Sequence, residues 1–171
     1  PDWSDEHIAE VAEKSMQYAM RMVMVDALVM PALITPVNWP RYIKHQNIQE
    51  IYQSLSNSRP GIYVTGHCGN WEMLAYSLSL TGFPFTALAR PLDNPLINDW
   101  LLGTRQAWGM NILTKWNAMP VLRTILARGG KIGFVADQNA GRRGIFVPFF
   151  GRLASCYKTM GLLAMRYEAS I

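Results

Sequence analysis

Two hydrophobic periodicities divide the chain. Over the first thirty residues Ile8, Val11, Ala12, Met16, Ala19, Met20 and Val23 recur at helical spacing. They follow Ser4, a capping residue, with Asp5 and Glu6 placed to meet the positive end of a helix. The pattern predicts a helix from Ser4 to about Met30. Its apolar stripe reads first as a face turned to a core. A helix lying on a membrane or lining a lipid groove is the rival reading, and the methionines at 16, 20, 22, 24 and 30 suit such adaptable contact. Pro31, Pro36 and Pro40 predict an irregular connection, and residues 46–55 a second, shorter helix.

From residue 60 the period changes. Ile62-Tyr63-Val64-Thr65 is a short β-branched run behind Pro60-Gly61, and similar strands are predicted at 85–89, 111–113, 132–136 and 145–147. Between and after them lie predicted helices at 71–80, 95–108, 119–128 and 158–168. Asn94-Pro95 opens one of these, and glycines at 82, 109 and 129–130 end three. Strand–helix alternation predicts an α/β fold, a mostly parallel sheet flanked by helices. The expected division is an N-terminal helical region, residues 1–58, packing on or near a core at 59–171. Residues 168–171 read as a loop about to enter another strand, so the chain is expected to be a piece of a longer protein. No run of about 18 uncharged apolar residues occurs; the nearest, 23–33, is interrupted by Asp26 and Pro31.

Composition narrows the classes. Half of the 171 residues are apolar and 16% charged, which excludes a disordered or fibrous chain and suits one core. Two cysteines exclude a disulfide framework and fit a reducing compartment. Charge is uneven: residues 1–85 hold five Lys/Arg against eight Asp/Glu, residues 86–171 eleven against four. A basic second half points to an anionic partner.

In parallel sheets ligands bind beyond the C-terminal strand ends, and the unusual polar residues fall there. The first strand runs into Thr65-Gly66-His67-Cys68-Gly69-Asn70-Trp71-Glu72. Asn70 is placed to cap the helix that carries Glu72 in its first turn. A carboxylate there is suited to hold the His67 imidazole in one tautomer, giving a general base that deprotonates a substrate hydroxyl. Asp137, just past the strand at 132–136, meets His67 at the same sheet edge. Trp71, Met73, Phe149 and Phe150 are read as core packing in preference to an acyl groove.

His67-x-x-x-x-Glu72 after a short strand resembles the signature of the glycerolipid-type acyltransferases. Arg90-Pro91-Leu92-Asp93-Asn94-Pro95, Arg105, Ala136-Asp137-Gln138-Asn139 and Phe146-Val147-Pro148-Phe149-Phe150-Gly151 follow in order. Together they resemble the lipid A biosynthesis (lauroyl/myristoyl) acyltransferase family. The resemblance implies an enzyme of the bacterial inner membrane, active at its cytoplasmic face, whose membrane anchor lies outside this sequence. It implies transfer of a fatty acyl group from acyl carrier protein to a hydroxyl of a lipid A precursor, without a covalent acyl-enzyme and without cofactor or metal. It further implies His67 as base, Glu72 as its orienting partner, and functional roles for Arg105 and Asp137. Arg90, Asn70, Gln138, Arg142 and Arg143 complete the expected substrate-binding set, the arginines being suited to phosphate.

Rival chemistries are weaker. Cys68 beside His67 suggests a thiol nucleophile, but neighbours on an extended segment point apart. A metal hydrolase on His67, Glu72 and Asp137 lacks the usual close ligand spacing, and His7 and His45 lie far away in sequence. A nucleic-acid module lacks interleaved basic and aromatic residues on a helix. Transfer to a different membrane glycolipid or phospholipid stays open.

Overall fold

The computed structural model describes residues 3–22, 27–107 and 109–171. The expected helical stretch at 23–26 and the expected helix end at Trp108 lie outside them. Helices α1 (Asp5–Met20), α2 (Ala27–Leu33) and α3 (Gln49–Ser56) come first, with a 3-10 turn at Trp39–Arg41. Then follow β1 (Gly61–Thr65), α4 (Trp71–Leu80), β2 (Phe85–Ala89), α5 (Pro95–Gln106), β3 (Met110–Thr114), α6 (Ala118–Ala127) and β4 (Lys131–Val135). A 3-10 turn (Gly141–Arg143), β5 (Ile145–Phe149), β6 (Arg152–Cys156) and α7 (Thr159–Tyr167) complete the order.

The main sheet is parallel throughout, ordered β1-β4-β2-β3. The α/β architecture is therefore the one expected from the alternation of patterns. β4 is paired on both sides and holds Ile132, which is fully buried. Ile62 lies opposite it in register, and the two pack with Leu122 and Leu126 of α6 and Leu163 of α7. The i, i+4 spacing of Leu122 and Leu126 gives α6 the stripe that seats on the sheet. On the other face Tyr63 donates a 2.9 Å hydrogen bond to Ser54 of α3. A second cluster joins Met30 and Ile34 to Tyr76 and Leu80 of α4. After α7, Ser170 bridges the outer edge of β1: Ile62 N–H donates to its carbonyl at 2.8 Å.

Three local expectations change. α1 is capped by Ser4 as expected, but none of its residues is buried, so its apolar stripe does not face the core. Pro31 lies inside α2; so near the helix start, its missing N–H forfeits only the bond to Ala27. β6 was not expected, and with β5 it forms an antiparallel hairpin. Phe149 and Phe150 sit at its tip, exposed, not in a core. Among the described residues no helix is long and apolar enough to cross a membrane.

Candidate active site

The β1–β4 pairing builds the site. Thr65 faces Val135 in register, and Ala136 N–H donates to the Thr65 carbonyl at 2.9 Å, so the two strands stay side by side as they end. Two residues further on each, His67 and Asp137 become neighbours. His67 Nδ1 lies 2.6 Å from Asp137 Oδ1, and the His67 backbone N–H donates to Oδ2 at 2.7 Å. A carboxylate only accepts, so Nδ1 carries a proton, and in the neutral imidazole Nε2 is the nitrogen left with a lone pair for chemistry. Gly66 eases the close approach: a Cβ there would stand a tight 3.1 Å from Asp137 Oδ2. The bond from the His67 ring holds the Asp137 carboxyl below its ordinary value; desolvation opposes this and the His67 backbone N–H adds to it. Trp71 presents its ring edge-to-face to the imidazole, centroids 4.8 Å apart.

Glu72 makes no hydrogen bond to His67 in this structure. Its carboxylate is gripped by the Arg105 guanidinium through two parallel hydrogen bonds, Nε to Oε2 at 2.9 Å and Nη2 to Oε1. The reason lies in the path of the chain. Gly69, at φ +63°, turns it off the strand axis, and Asn70 Oδ1 caps α4 by accepting from Met73 N–H at 2.8 Å. Glu72 in the first turn of α4 and Arg105 in the last turn of α5 each complement a helix dipole, and together they make a fork-to-fork pair.

A cavity of about 960 Å³ runs along the sheet and includes this end of it. Its polar lining includes His67, Glu72, Arg90, Arg105, Lys115 and Gln138; apolar residues such as Leu78, Leu88, Phe134 and Met160 make up much of the rest. Arg90 is exposed and pairs with Asp93 at 3.3 Å. Arg142 and Arg143 sit on an exposed 3-10 turn and are not among the cavity walls. Lys115 was not expected at the site, although its position one residue past β3 satisfies the same strand-end rule that marked Asp137. Cys68 is exposed and makes no hydrogen bond to His67. Among the described residues no three His, Cys, Asp or Glu side chains gather as a metal ion would need.

The arrangement is an oriented imidazole in the wall of a mixed apolar and cationic cavity. Such a site can take a proton from a hydroxyl while holding a ligand with a hydrocarbon part and an anionic part. A comparison with curated proteins gave no match. The family model for bacterial lipid A biosynthesis acyltransferases, by contrast, matches residues 1–171, and the chain belongs to that family and is an acyltransferase.

Proposed function

We propose that the chain moves a fatty acyl group from an acyl carrier protein thioester directly onto a hydroxyl of a lipid A precursor, with His67 as general base. The observation that carries this reading is the His67–Asp137 contact, which commits Nδ1 to a carboxylate and leaves Nε2 for the acceptor. Nε2 takes the hydroxyl proton as the acceptor oxygen attacks the thioester carbonyl. The tetrahedral oxyanion collapses, the C–S bond breaks, and the imidazolium returns its proton to the departing thiolate. Asp137, not Glu72, is the orienting carboxylate in this scheme. Glu72 fixes Arg105 in the cavity wall, and Arg105, Arg90 and Lys115 supply positive charge for the acceptor's phosphates. The apolar walls suit the acyl chain. The reaction so proposed belongs to the cytoplasmic face of the inner membrane.

Mass spectrometry of lipid A precursors incubated with the protein and acyl carrier proteins of several chain lengths tests the reading. One acyl group is expected to be added per acceptor, and to be lost with His67→Ala. Undiminished transfer by that variant would remove His67 as base. An unchanged precursor, with acylation of another glycolipid or phospholipid, would overturn the acceptor.

A further inference from the structure

We propose that the β5–β6 hairpin docks the protein on an anionic bilayer, its Phe150 tip entering the acyl-chain region while Arg142, Arg143 and Arg152 meet lipid phosphates. The inference rests on the proposed function only in taking the acceptor to be a lipid.

The hairpin is built unlike a folding element. A two-stranded hairpin in water is marginal by itself, and this one packs chiefly on itself and on the 3-10 turn before it. Register puts Phe146 and Pro148 of β5 on one face with Leu153 of β6. Phe146 is 59% exposed and Leu153 70%. The loop is the two-residue turn Phe150-Gly151, with φ +47° and +75°. Such turns favour Asn-Gly, because a bulky side chain is disfavoured at positive φ. Here a phenylalanine occupies the strained position and is 93% exposed. Neither backbone preference nor burial accounts for it; an apolar environment outside the chain does.

Charge names that environment. From residue 138 to residue 167 there is no Asp or Glu, while Arg142, Arg143, Arg152, Lys158 and Arg166 fall within the segment. Among the described residues no carboxylate pairs with Arg142, Arg143 or Arg152. An aromatic tip with cations around it matches a bilayer, where a ring enters below the headgroups and arginines lie among phosphates. An acidic protein would attract the same arginines, but it would have to offer a pocket to a protruding ring, whereas a bilayer needs none. The hairpin begins eight residues after Asp137, on the segment that follows the site end of β4.

Cosedimentation of the purified chain and two variants with phosphatidylcholine vesicles, with and without phosphatidylglycerol, tests this, alongside the stability and activity of the tip variant. The chain is expected to bind the phosphatidylglycerol vesicles and to be released by salt. Phe150→Asn is expected to weaken binding about tenfold. The same variant should unfold at an equal or higher temperature, since Asn suits the turn, and should transfer at the original rate to a detergent-dispersed acceptor. Arg152→Gln is expected to cost about fivefold on phosphatidylglycerol vesicles and nothing on phosphatidylcholine alone. Vesicle binding by Phe150→Asn equal to that of the parent would overturn the proposal. So would a Phe150→Asn defect confined to binding of acyl carrier protein, which would assign the hairpin to a protein partner. Because the vesicle assay involves no acyl transfer, failure of the proposed reaction, seen with His67→Ala, is read separately.

Discussion

His67 and Asp137 form the contact on which the chemistry turns, and it is tested one atom at a time. Asp137→Asn keeps the shape but removes the obligate acceptor that fixes the tautomer of His67. Transfer is expected to fall by on the order of 10²–10⁴ with the fold intact by circular dichroism. Because the Asp137 carboxyl is held below its ordinary 3.8, the contact is fully present above that value and is lost as pH falls through the lower folded value. Glu72 and Arg105 are half-buried partners, so a double-mutant cycle with Glu72→Gln and Arg105→Met is expected to return a coupling of about 1–2 kcal/mol in thermal unfolding. The same cycle between Glu72 and His67 is expected to return a value near zero. Both carboxylates were visible in the sequence; which of them reached the imidazole was not, since Glu72 lies five residues from His67 and Asp137 seventy.

At the scale of elements, short-range pattern carried most of the outcome. α4 and β2 occupy Trp71–Leu80 and Phe85–Ala89 as the spacing predicts, because capping by Asn70 and the apolar, β-branched make-up of the strand act within a few residues. α6 shows what packing adds. Leu122 and Leu126 are each 1% exposed against β4, and Leu126→Ala is expected to destabilise the protein by about 2–5 kcal/mol in urea denaturation. β6 escaped notice because its turn carries phenylalanine where Asn-Gly would have announced a hairpin. The α1 stripe had the period of a buried face and yet is exposed; periodicity reports that a face is apolar, not what covers it.

Over the whole molecule, buried and partly buried polar groups tie separate segments together. His45 Nδ1 lies 3.0 Å from the Tyr52 hydroxyl of α3 and Nε2 3.1 Å from Ser77 Oγ of α4, with Trp39 against the ring. Burial lowers its pKa from 6.5, so the folded chain resists a proton that the unfolded chain accepts. Stability is therefore expected to be full above about pH 6.5 and to fall as pH drops through the lower folded value. The midpoint of thermal unfolding measured against pH checks this, and His45→Gln is expected to flatten the profile. Lys131, which is buried, donates through Nζ to the Asn57 carbonyl at 3.0 Å and to the Arg59 carbonyl, binding the approach to β1 onto β4. By itself the sequence determined the alternation of strands and helices, the capped starts and glycine stops of the helices, and the strand ends at which His67 and Asp137 fall. Those are local properties, set by neighbours a few residues apart. Only the tertiary structure decided the order β1-β4-β2-β3, the register that sets His67 beside Asp137, and the reach of Arg105 from α5 to Glu72. Strands of similar apolar pattern are interchangeable as partners when read along the chain. Their pairing is chosen by how all of them bury surface at once.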